Sequence, residues 1–289
     1  MWLLLSLTSA ITVSIYSILN KQLTKSLPLV IFLFVSNLST LIFMFVMIMF
    51  MGGIPHVTSK FYLFMFISSL MDLVSFIAYT YAFKNHEISL LTPLRAFIPA
   101  IATLVAFFAL HEIPTPLKML GVLVIVCGAY VLNISDARIS LLTPLKKLFS
   151  NRGVQIYSIM VILFGIAPIF QKQAIFQTEP ITPLYASFFG TLLVTVYFGI
   201  YVFRSVKKEL PQISKSSLLL LVYGLIYTIG QLTSYLAFSK ANVGYVTGVS
   251  NLSILFSIIL GGVLLKEQRI KERLLGASVM IAGVVLLAI

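Results

Sequence analysis

A shift of 155 residues lays the first half of this chain on the second without a gap, and both copies run through nearly unbroken hydrophobic sequence. The shift carries Ala82-Phe83 onto Ala237-Phe238, Thr92 onto Thr247, and Leu110 and Glu112 onto Leu265 and Glu267. It also carries Leu120-Gly121 onto Leu275-Gly276, Gly128 onto Gly283 and Leu132 onto Leu287. Such a duplication restricts the fold to two similar units in lipid, with a shared site between them. With 60% hydrophobic residues, 10% charged residues and a mean hydropathy of +1.06, no soluble domain is expected anywhere in the chain. The formal net charge of +12 would suit nucleic acid if it covered one folded face, but the basic residues sit in short connectors. They read as topology determinants.

A crossing needs about 20 residues, and by that measure the sequence predicts ten transmembrane helices. The first five spans run over 2–19, 29–51, 61–83, 89–110 and 116–132. The next five run over 154–176, 182–203, 216–238, 243–265 and 273–289. The expected organisation is a first five-helix repeat over residues 1–132, a connecting loop over 133–153 and a second repeat over 154–289. A further polar connector covers Arg204–Lys215. Met1 and Trp2 lead straight into the first apolar run and Lys21 and Lys25 follow it, which favours a retained helix over a cleaved signal peptide.

An odd number of spans per half makes the two repeats inverted. Of the 20 Lys and Arg, Arg95 lies deep inside a span, and Lys60, Lys118, Lys172 and Lys240 lie in or beside the connectors after the even-numbered spans. All the others follow odd-numbered spans, which places both termini outside the cytoplasm of a cell membrane.

On these residues the chain resembles a member of the drug/metabolite transporter superfamily, of the ten-helix EamA type, over its full length. The resemblance is carried by Ala82-Phe83-Lys84 and Ala237-Phe238-Ser239 at the ends of the third and eighth spans. It is carried also by the prolines of the fourth span (Pro93, Pro99), by Glu112 and Glu267, and by the glycine-bearing span after each. The ninth span lacks the prolines of the fourth, and Phe stands where the family usually has Leu. The resemblance implies a basket in which spans 1–4 and 6–9 surround a central cavity, with the fifth and tenth outside. Gly121, Gly128, Gly276 and Gly283 recur at seven-residue spacing, which reads as close packing of those two spans, with a homodimer contact as the alternative.

Chemistry in lipid must come from polar groups at membrane depth, where an ionisable side chain costs several kcal/mol unless paired or hydrated. Asp72 lies midway along the third span and Arg95 within the fourth, and their copies are the uncharged Tyr227 and Ser250. One half has therefore been specialised. Two readings stay open: a structural salt bridge between neighbouring helices, or a substrate and proton pathway. In the second, Asp72 exchanges a coupled proton and the planar donors of Arg95 hold a carboxylate or phosphate. Pro93 and Pro99 remove N–H donors around Arg95 and favour a kink there. Neutral candidates are Tyr79 and Tyr81, Asn251, and the i, i+4 series Tyr227, Gln231 and Tyr235 on one helix face. Lys21 and Lys172, at corresponding span ends, are expected to reach toward headgroups.

The lone Cys127 excludes an internal disulfide and a cysteine metal cluster, and His56, His86 and His111 fall in connectors, so neither an enzyme nor a cofactor is expected. No charged ring suggests a channel, and the two intramembrane charges argue against a passive scaffold. The reading is a secondary carrier of a small metabolite. Export of amino acids or related compounds leads on the resemblance. Uptake of a sugar, nucleotide sugar or other anionic metabolite is next, and cationic drug efflux third. The expected partners are that small molecule, the bilayer and a coupled proton.

Overall fold

The structure is a computed structural model that describes residues 1–24, 26–50, 53–85, 91–137, 142–147, 150–202, 206–265 and 270–289. Glu267, His86 and the expected start of the fourth span at Ser89 lie outside the described residues, as does the side chain of Tyr79. The helices in the first half are α1 (Trp2–Leu23), α2 (Leu29–Phe50), α3 (Ser59–Asn85), α4 (Ile98–Ala109) and α5 (Pro116–Ala137). After α6 (Thr143–Lys147) come α7 (Arg152–Ile175), α8 (Pro183–Val202), α9 (Val206–Lys215), α10 (Ser217–Phe238), α11 (Val243–Ser250), α12 (Leu252–Leu265) and α13 (Ile270–Ala288). The short helices α6 and α9 occupy the two connectors that the sequence marks as polar.

Among the described residues, α1, α2, α3, α7, α8 and α10 are long and apolar enough to cross a membrane. The four remaining expected spans contain shorter apolar helices over Pro93–Ala109, Pro116–Leu132, Val243–Ser257 and Gly276–Ala288. The distribution of polarity is that of a protein in lipid. Large apolar side chains such as Phe50, Phe108, Ile200 and Leu218 point outward, while Ser14, Thr40, Ser68, Thr103, Thr191 and Thr228 are buried. Several buried hydroxyls are satisfied locally, as when Thr40 and Thr103 donate to the carbonyls of Ser36 and Pro99. No backbone partner outside the helix is then needed.

Helix contacts repeat under the 155-residue shift. The packing of α3 on α7 is matched by α10 on α1, that of α2 on α10 by α8 on α3, and that of α1 on α11 and α12 by α7 on Thr92–Phe97 and α4. Helices α5 and α13 pack on each other through the four glycines. A Cβ on Gly128 would lie 2.7 Å from the backbone nitrogen of Met280, and one on Gly283 would lie 2.8 Å from the carbonyl oxygen of Gly121. The glycine stripe is thus consumed within the chain, as the packing reading requires.

Two helices are broken at related places. In the first half Pro93 and Pro99 leave Thr92–Phe97 as a 3-10 segment ahead of α4, with the Ile98 N–H bonded to the Arg95 carbonyl. In the second half the helix breaks at Asn251, between α11 and α12, without a proline. Asn251 is the copy of Ala96, in the 3-10 segment. The two broken helices pack tightly, since a Cβ on Gly244 of α11 would collide with the Thr103 hydroxyl of α4.

The connectors after the second, fourth, sixth and eighth expected spans meet at one end of the bundle. There β1 (His56–Val57) pairs antiparallel with β2 (Thr178–Glu179), and the Thr58 hydroxyl donates to Gln177 Oε1 at 2.7 Å.

Candidate functional site

The residues that carry charge and hydroxyls at membrane depth converge from both halves. Helix α10 supplies a row at four-residue intervals: Tyr223, Tyr227, Gln231 and Tyr235. Gln231 Nε2 donates to Tyr227 Oη at 3.1 Å, so the row is coupled along its own helix. Tyr16 of α1 closes on the row, with ring centroids 5.2 Å from Tyr227 and 5.9 Å from Tyr223. Tyr223 and Tyr227 stack at 5.8 Å with planes 13° apart, and Phe32 of α2 meets Tyr223 edge-on at 5.3 Å. Close approach of α1 is possible because position 230 is glycine, where a Cβ would lie 2.6 Å from Thr12 Oγ1.

Asp72 enters from α3, near enough to Tyr227 and Tyr235 for its carboxylate to interact electrostatically with both hydroxyls. One turn earlier the Ser69 and Tyr197 hydroxyls lie 3.1 Å apart and tie α3 to α8. Arg95 lies in electrostatic reach of Tyr16. Asp72 and Arg95 form no ion pair with each other. Arg95 is exposed, so its guanidinium is accessible to water or to a ligand. A charge at membrane depth with no counter-ion among the described residues needs one of these.

The break at Asn251 adds a second polar locus. Ser250 Oγ and Asn251 Nδ2 are buried without a hydrogen-bond partner among the described residues. Such orphaned donors are uncommon in a folded interior and often accompany a ligand or water position.

The structure therefore assembles Asp72, Tyr227, Gln231 and Tyr235, with Arg95 connected to them through Tyr16. Tyr81, on the same helix as Asp72, is exposed. Asn251 belongs to the helix break. Sequence reasoning missed Tyr16 and Tyr223. Tyr223 was findable, because it extends the i, i+4 row by one more turn. Lys172 departs from expectation. Rather than reaching toward headgroups, it forms an ion pair with Glu112 at 2.6 Å. Its partner lies in a connector of the other half, so headgroup distance was not the deciding constraint.

A sequence profile of the EamA-like transporter family matches residues 1–134 and again 151–289. No curated protein matches the chain. Among 28 matching chains of known structure, one crystal structure, 13% identical, superposes with a TM-score of 0.77 over 99% of this chain and 95% of that one. At that identity the similarity speaks to the fold alone.

Proposed function

The chain belongs to the EamA-like transporter family, whose profile covers both halves, and is a multi-pass membrane protein; from that premise we propose a secondary active carrier for a small zwitterionic metabolite. An amino acid or a close relative is the substrate class. Ten crossings form two inverted five-helix repeats, residues 1–132 and 154–289, that alternate access to a site between them.

The observation that carries the substrate reading is that Asp72 and Arg95 form no ion pair with each other and act on different members of a tyrosine group drawn from both halves. An α-ammonium and an α-carboxylate need opposite charges held apart, and a permanent Asp–Arg bridge would neutralise both. Arg95 offers the bidentate fork that suits a carboxylate. The Tyr16, Tyr223 and Tyr227 rings supply a wall for the remainder of the molecule. The accessible Arg95 also supports a second reading, an anionic metabolite without an ammonium group.

Counterflow in liposomes decides between them. Vesicles loaded with unlabelled amino acids are expected to accumulate labelled amino acid transiently above equilibrium, whereas organic anions lacking an amine should produce no overshoot. Overshoot with the anions alone would replace the zwitterion by the second reading. Downhill flux without overshoot for every solute would indicate a channel.

Export fits the resemblance, and the concentration of Lys and Arg after odd-numbered spans supports termini outside the cytoplasm. Cysteine placed at the exposed Ser214, in a Cys127→Ser background, is expected to resist an impermeant maleimide added to intact cells. Rapid labelling would reverse the orientation.

A further inference from the structure

Glu112 and Lys172 do more than pair. Lys172 Nζ lies 2.6 Å from one carboxylate oxygen of Glu112 and donates also to the Ala241 carbonyl at 2.7 Å. The other carboxylate oxygen of Glu112 accepts the Val243 N–H at 2.8 Å. That N–H opens α11, whose own N-cap residue, Asn242, provides no side-chain cap. Glu112 therefore caps a helix of the opposite half, where a carboxylate is favoured by both the free N–H and the helix dipole. The chain is turned to allow it. His111 sits at φ +54°, the left-handed region few side chains adopt, and reverses the backbone after α4 so that Glu112 reaches α11.

Four properties set this cluster apart from a static surface bridge. The side chains are only 10% exposed for Glu112 and 14% for Lys172. It joins the connector after the fourth expected span to the end of α7 and the start of α11, so it holds one half to the other. It borders a cavity of about 480 Å³ lined by Lys60, Phe64, Gln173 and Gln177 among others, through which water can reach the separated charges. And α11, the helix it caps, leads directly to the break at Asn251.

We propose that the Glu112–Lys172–Val243 cluster is a latch that closes this end of the carrier, and that transport requires it to open. With the ion pair broken, each charge enters the adjoining cavity and α11 loses its cap. The helix is then free to pivot at Asn251 and admit the substrate from this side. The mechanism rests on the carrier reading, but the latch itself has a signature that needs no substrate.

Spin labels at Leu117→Cys and Ile181→Cys, one on each half at this end, report the opening in a Cys127→Ser background. Electron–electron resonance should give one dominant short distance in the parent, and Glu112→Gln and Lys172→Met should each add a longer one. An unchanged distance distribution in both variants overturns the latch. Should either variant fail to fold, Glu112→Cys with Lys172→Cys is joined instead by a reversible bifunctional thiol reagent. Linking should stop amino-acid counterflow and reduction should restore it, whereas counterflow through the linked protein also overturns the latch. If the unlinked protein shows no counterflow, the carrier reading fails while the distance measurement still decides the latch.

Discussion

Arg95→Gln is expected to lower kcat/KM for amino-acid counterflow by about 100-fold or more, with the protein still folded and monodisperse. The magnitude follows from truncating a charge-assisted, partly desolvated contact, which costs ~2–5 kcal/mol. The preserved folding follows from geometry: Arg95 is exposed and forms no ion pair with Asp72, so among the described residues its loss strands no buried carboxylate. Arg95→Lys should recover only part of the activity, because a single ammonium keeps the charge without the planar fork. Initial rates of labelled exchange, measured beside thermal unfolding of the same preparations, check the expectation. Loss of activity accompanied by a large drop in unfolding temperature would assign Arg95 to structure.

Asp72→Asn is expected to separate two activities. Accumulation driven by a proton gradient should disappear, since an amide cannot carry a proton across, while exchange of labelled for unlabelled amino acid at equal pH should persist at a reduced rate. The motivation is position. Among the described residues, Asp72 is the carboxylate placed at membrane depth, it interacts with the Tyr227 and Tyr235 hydroxyls, and it has no ion-pair partner holding it permanently ionised. Parallel uptake with and without an imposed pH gradient makes the test. Gradient-driven accumulation that survives in Asp72→Asn would remove the proton from this residue.

The architecture was legible because duplication leaves a record that folding does not erase. The shift that carries Gly121 and Gly128 onto Gly276 and Gly283 also relates the helix contacts, and those four glycines meet between α5 and α13. Asp72 and Arg95 were legible as charges in hydrocarbon, and Tyr227, Gln231 and Tyr235 by their four-residue spacing. What escaped was pairing at a distance. Tyr16 becomes part of the group only when α1 packs on α10, which no local pattern encodes. Asn251 could not be seen as a break because the chemical cause evident in the fourth span, proline, is absent in the ninth. Glu112 was legible only as a mark of the family, and Lys172 only as a span-end lysine expected to reach headgroups. Their meeting depends on how the halves close, a property of tertiary structure.

The central claim is that the two intramembrane charges serve transport and not the stability of the helix bundle. The double variant Asp72→Asn, Arg95→Gln tests it in one measurement of counterflow on folded protein. A structural bridge would make each single change destabilising, and neutralising both would restore folding and transport together. With the charges held apart, the account predicts a double variant that folds like the parent and remains at least as inactive as Arg95→Gln. A stable double variant with parental counterflow would contradict it, and would shift the substrate site to the neutral row of Tyr227, Gln231 and Tyr235.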